Sequence, residues 1–229
     1  MTIQVIPAGG GPDEPAFAEA PAFTVLDVAA VRHAATPTLR FDMHVSDPAG
    51  REVYAIALSV QIQIDPAQRE YDDATRERLV ELFGAPERWG ATTHSFQWAR
   101  IEVLVPSFTG ATSFALQVPC TYDLEVAAAK YFYSLPDGMV PLSFHYSGMV
   151  LYRGDGDGGV QVTPVPWSCS TRWRMPVAAW KDAMAAVYPG GGWVRLTPET
   201  LQALLDRKAA DGHHSFDALV SALLHEENP

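Results

Sequence analysis

The segment Val118-Pro-Cys-Thr-Tyr-Asp-Leu-Glu-Val-Ala-Ala-Ala-Lys-Tyr-Phe-Tyr133 sets a thiol, Cys120, close to two carboxylates, Asp123 and Glu125, and to the amine of Lys130. A thiol among titratable neighbours can become a nucleophile or a metal ligand once its pKa falls. His145, on the strand expected next, is the candidate base for such a thiol. The simpler reading has Asp123 capping or ordering the segment while Tyr131 and Tyr133 pack. Both readings stand on the sequence alone.

A second grouping is built for contact rather than reaction. Six tryptophans occupy positions 89, 98, 167, 173, 180 and 193, and four of them fall late in the chain. Trp167, Trp173 and Trp193 interleave with Arg172, Arg174 and Arg195. Aromatic and guanidinium side chains carry much of the energy of protein interfaces, so these six residues form the expected docking ledge, with core packing of the rings as the alternative.

Other chemistries lose their usual signatures. There is no Gly-x-Ser-x-Gly elbow, no Gly-rich phosphate loop and no dinucleotide-binding glycine pattern. Cys120 and Cys169 are the only cysteines and make no CxxC pair, so free buried thiols are expected, with neither a metal site nor a cofactor. The run Gly154-Asp-Gly-Asp-Gly-Gly159 lacks the later bidentate Glu of a calcium loop and reads as a hairpin turn. His213 and His214, adjacent before a helix, read as a solvated loop.

These groups must be carried by extended elements. Alternating apolar residues mark strands from Phe23 to Val28, Leu39 to Val45, Val53 to Ile64, Phe96 to Val105, Ser113 to Val118, Val140 to Arg153 and Val160 to Val165. The turn residues of Ser46 to Arg51 predict a hairpin between two of them. On the third strand Val60, Ile62 and Ile64 share one face, and Ser59, Gln61 and Gln63 share the other, which faces water or a partner. One short helix is expected between Asp72 and Gly84, with Leu79, Val80 and Phe83 buried. About three helices follow Pro176, the last burying Phe216, Leu219, Val220, Leu223 and Leu224. The expected fold is therefore α+β, a mainly antiparallel β-sandwich or barrel-like body. It divides into a flexible leader at 1–21, a β domain at 22–175 and a helical C-terminal region at 176–229, packed on the β domain.

The 229 residues are enough for a body that removes roughly 70% of the unfolded chain's surface from water. A net charge of −11 opposes binding to nucleic acid, whose readers need basic stripes. No apolar run approaches the eighteen residues or so of a membrane span. The N-terminus has no basic, then apolar, secretion signal, and a cytoplasmic location is expected.

The runs Arg32-His-Ala-Ala-Thr-Pro-Thr-Leu, Leu82-Phe-Gly-Ala-Pro-Glu-Arg-Trp-Gly, the Val118 to Phe132 segment and Trp180-Lys-Asp-Ala-Met resemble an uncharacterised bacterial family of unknown function. The resemblance covers nearly the whole chain after about residue 20. It implies a link to nickel–iron uptake hydrogenases, beside whose genes members of that family are often encoded. Lacking the CxxC pairs of hydrogenase subunits, the chain would then be an accessory or assembly protein. Three functional readings are open: a non-enzymatic protein-binding or assembly module, a thiol- or metal-using accessory enzyme centred on Cys120, and a β-body that carries a small apolar ligand or an unfolded segment.

Overall fold

Alternation of buried and exposed side chains organises the body in the computed structural model, which describes residues 3–5, 20–121, 123, 126–154, 159–187, 189 and 194–226. In chain order the elements are β1 (Ile3–Val5), β2 (Ala22–Ala30), β3 (Thr38–Ser46), β4 (Glu52–Ile64), α1 (Asp73–Phe83), α2 (Trp89–Thr92), β5 (Phe96–Val105), β6 (Phe108–Thr109) and β7 (Ala111–Pro119). There follow α3 (Ala127–Ser134), β8 (Met139–Arg153), β9 (Val160–Pro164), β10 (Ser170–Pro176), α4 (Val177–Val187), α5 (Pro198–Asp211) and α6 (Phe216–Glu226).

The strands form two sheets, confirming an α+β fold with a sheet-rich, mainly antiparallel body. The larger runs β1-β9-β8-β4-β5, with β10 also on β8 and β6 on β4; the smaller is β2-β3-β7. The one parallel pair among the described residues joins β1 to β9, so three residues of the stretch read as a leader are extended. Inward residues of β3 (Leu39, Phe41, Met43, Val45) face those of β4 (Ile56, Leu58, Val60, Ile62, Ile64), all at most 1% exposed. Each such side chain stabilises by about 1.5–3 kcal/mol on leaving water. Phe41 meets Phe144 edge-on at 5.5 Å, and Phe23 stacks on Tyr146 at 4.3 Å, which ties one sheet to the other.

The expected hairpin at Ser46 to Arg51 is a crossover instead. β3 pairs with β2 and β7, whereas β4 pairs with β5, β6 and β8, so this turn joins the two sheets. Its turn residues were recognisable, but identical turn chemistry serves either connection. Buried Asp47 holds the corner: it accepts from the Arg51 backbone N–H at 2.8 Å, from Arg51 Nη2 at 2.6 Å and from the Tyr152 hydroxyl at 3.2 Å. Desolvation pushes its carboxyl up, but the hydrogen bonds and charge of Arg51, with Tyr152, outweigh that and leave it below the usual carboxylate range. By contrast, Gly154 N–H bonds to Gly159 O at 2.7 Å and β8 pairs with β9, so that connection is the hairpin expected; residues 155–158 within it lie outside the described residues.

α1 begins where Asp72 accepts from the Thr75 N–H at 2.7 Å and ends at Gly84, whose φ is 75°. Leu79 and Phe83 are buried, as expected, but Val80 points outward at 43% exposure. α3 was not anticipated. Its Ala128, Ala129, Tyr131 and Phe132 are buried on one face, while Tyr133 is exposed. The Tyr71 hydroxyl donates to Pro66 O at 2.8 Å, which leaves Tyr131 to donate to Tyr71 at 2.7 Å. α4 buries Val177, Trp180, Ala183 and Met184, and Trp180 stacks on Phe132 at 5.1 Å.

The chain divides into two compact units, Met1–Gly192 and Trp193–Pro229. The second comprises α5 and α6. α5 is capped by Thr197, which accepts from the Thr200 N–H, and ends at Gly212 in the left-handed conformation. Of the residues expected to bury on α6, only Leu219 does so fully; Phe216, Val220 and Leu224 are exposed, the last at 62%. No described helix is long and apolar enough to cross a membrane.

Candidate functional site

The strand that carries the arginine and tryptophan grouping is β10, which pairs antiparallel with the first half of β8. Period-two alternation turns Thr171, Trp173 and Met175 inward and Ser170, Arg172 and Arg174 outward. Met175 is fully buried and Trp173 meets Phe41 edge-on at 6.0 Å, so the Trp173 ring is anchored in the body while Arg172 and Arg174 are exposed. On the far side of β10, the Thr171 hydroxyl donates to Phe23 O at 2.7 Å, which fixes the strand against β2.

Arg172, Trp173 and Arg174 line an open pocket of about 360 Å³ together with Gln68, Pro141 and Leu142. Gln68 reaches it through a turn stapled to the start of β8. The Asp65 N–H donates to Pro141 O at 3.0 Å, and Gln68 N–H closes the turn on Asp65 O at 3.0 Å. Arg69 then clamps the opposite loop, donating to Asp137 O at 2.6 Å and Met139 O at 2.9 Å. Behind the pocket the Ser143 hydroxyl donates to the buried Asp65 carboxylate at 2.5 Å. Among the described residues neither Arg172 nor Arg174 has an ion-pair or hydrogen-bond partner in the protein. Two guanidinium groups on one face, beside an amide, suit an anionic group.

The remaining expected contact residues are distributed differently. Trp167 stands in a turn closed by the Cys169 N–H on Pro166 O at 3.0 Å, and its ring is 87% exposed. Arg195 is exposed in the second unit, and Trp193 lies outside the described residues. Gln68, Pro141 and Leu142 were not anticipated, because Gln68 stands about a hundred positions from Arg172 and no local pattern links them. A faint signal was Pro141 inside an expected strand, since proline is confined to strand edges and irregular pairings.

The thiol and its candidate base are carried by different sheets. Cys120 directly follows β7 of the smaller sheet, 7% exposed, with its sulfur 3.7 Å from Val118 O. Burial pushes its thiol up to about 12, only partly opposed by a hydrogen bond with the Leu39 backbone. His145 lies on β8 between buried Phe144 and Tyr146 and so faces outward from the larger sheet. Asp123 is half-buried, with its N–H on Thr121 Oγ1 at 3.0 Å, and Glu125 lies outside the described residues. Cys169, on the loop before β10, is also raised by burial. No group of three or more His, Cys, Asp and Glu residues fit to hold a metal ion occurs among the described residues.

The molecule is thus a two-sheet β body with inserted helices and a cationic pocket on an outer strand. The chain belongs to the family of unknown function DUF6084, whose model matches residues 18–229. No curated protein matches it. Among solved structures it is similar to a proposed late embryogenesis abundant protein in solution, at 13% identity and a TM-score of 0.32, over 68% of this chain and 70% of that one. It is also similar to a proposed ApaA protein from Bordetella pertussis, at 9% identity and a TM-score of 0.23, over 69% of this chain and 94% of that one. A β-glucosidase from Kluyveromyces marxianus aligns at 8% identity and a TM-score of 0.23, over 69% of this chain but 15% of the enzyme. Likenesses this distant carry no argument about function.

Proposed function

We propose that this protein is a non-enzymatic binding and accessory module that docks another protein on the outward face of β10. The observation that carries the reading is the pocket walled by Arg172, Trp173 and Arg174, whose two cations have no partner among the described residues, on a chain of net charge −11. Exposed Trp167, just before the strand, extends the same contact region. A thiol raised to about 12 is a poor nucleophile, which weighs against an enzyme centred on Cys120. The space between the sheets is occupied by packed rings, Phe41 touching Trp98, Phe144 and Trp173, which weighs against a carrier with an interior cavity.

An accessory role in a nickel–iron hydrogenase system, in the cytoplasm, is the finer form of this reading and rests on the sequence resemblance alone. The test is affinity purification from the native host with quantitative mass spectrometry, comparing the parent with Arg172→Ala/Arg174→Ala. Specific partners should fall to background with the double variant, hydrogenase components among them. Undiminished recovery of every partner would remove β10 as the docking surface.

A further inference from the structure

We propose that the segment bound at this pocket is an acidic, extended stretch of a partner protein, with carboxylates on alternate residues. The inference rests on the docking role of β10 and names the chemistry of its occupant.

Arg172 and Arg174 are two residues apart on one strand, so their stems rise on the same face about 7 Å apart. An extended Glu-x-Glu segment repeats with the same period, and laid along β10 it brings one carboxylate to each guanidinium. Arg–carboxylate pairs are planar and bidentate, which favours this match over a single point charge. The residues opposite the arginines on β8 add no competing charge: Arg172 stands across from Ser143, and Arg174 from Pro141. Asp65 is the acid behind them, and it is engaged by the Ser143 hydroxyl and forms no ion pair with either arginine. The Gln68 amide lines the same pocket and can meet the backbone between the two carboxylates.

Charges on an outer strand also deter edge-to-edge aggregation, and that role alone would need no pocket and no acidic occupant. The two roles part in a direct measurement. Full-length protein is titrated into a fluorescein-labelled peptide containing Glu-Val-Glu-Val-Glu and followed by anisotropy, beside a Gln-for-Glu peptide and one with its acids moved to adjacent positions. The alternating acidic peptide should saturate below about 1 mM, about tenfold more tightly than either control. Arg172→Gln and Arg174→Gln should each weaken it about fivefold with unchanged circular dichroism, and binding should fall steeply as salt rises from about 0.05 M to about 0.5 M.

Equal binding of the acidic and Gln peptides, or no saturation, overturns the inference. Competition by inorganic phosphate or succinate at the peptide's own concentration also overturns it, by making the pocket a small-anion site. Loss of native partners in the Arg172→Ala/Arg174→Ala purification would then still uphold docking at β10, so the two failures are told apart.

Discussion

Replacing Gly148 by alanine should destabilise the protein more than any other single methyl group added at a described glycine. Gly148 has a φ of 142°, and a Cβ there would lie 2.0 Å from the Ala57 carbonyl oxygen and 3.1 Å from Leu58 Cα. Gly148 is paired with Leu58 in the middle of the β4–β8 ladder, and its own carbonyl accepts from the Val165 N–H at 2.9 Å. To bring the 2.0 Å contact out to the 3.0 Å that real Cβ atoms respect, the strands must part by about 1 Å. Backbone shifts of that kind in a packed core cost about 1–3 kcal/mol, and a side chain at such a φ adds about 1–3 kcal/mol more. The sum is about 4 kcal/mol. Gly50 is the matched control, with a φ of 68° and nothing within 4 Å of its would-be Cβ, so Gly50→Ala carries the conformational share alone, about 1 kcal/mol. At a urea slope of about 2 kcal/mol/M, the midpoints should fall by about 2 M and about 0.5 M respectively. Urea titrations followed by tryptophan fluorescence measure both. Equal losses in the two variants would refute the clash at Ala57.

Native alkylation at pH 8 should leave Cys120 unmodified and label Cys169 first, because a thiol raised to about 12 is only about one part in ten thousand ionised there; mass spectrometry of tryptic peptides reads the result. Asp47→Asn should cost about 2 kcal/mol by leaving Arg51 without its carboxylate. It should also flatten the acid limb of the stability curve. The depressed Asp47 carboxyl contributes its stability above about pH 4, the unfolded value, and loses it as pH falls through the lower folded value, so urea midpoints measured from pH 7 down to pH 2 should decline less in the variant. Trp180→Ala should cost about 3–5 kcal/mol, since the ring is 2% exposed and stacked on Phe132, whereas Leu201→Ala on α5, at 44% exposure, should leave the unfolding of the β body unchanged.

Most of the sheets could be read from alternation because their inward faces repeat without interruption. Phe96–Val105 coincides with its expected bounds, and β4 and β8 differ from theirs by a single residue at one end. β10 escaped because only Thr171, Trp173 and Met175 mark its inner face, and a tryptophan in a short segment suits a surface as well as a core. α3 escaped because it is only eight residues long and its exposed Tyr133 is as aromatic as its buried Tyr131 and Phe132. The crossover at Asp47 depends on which distant strands β3 and β4 meet, and no local residue encodes that. Both arginines of the pocket, and Trp173 between them, stand out by type and spacing. The side chains that complete it, Gln68 and Leu142, are brought in by a turn and a strand far off in sequence.

The crossover between β3 and β4 also dictates when the protein can begin to exist during synthesis. β3 waits for β7, and β4 waits for β8, whose Tyr152 pairs with Val53 across about a hundred residues. Until the ribosome has released that second half, each early strand shows water an unpaired apolar border, and long-range closure is slow. A chain ending before residue 139 should therefore leave the β8 side of β4 unpaired and aggregate rather than yield a smaller folded product, which sedimentation of the truncated protein would read.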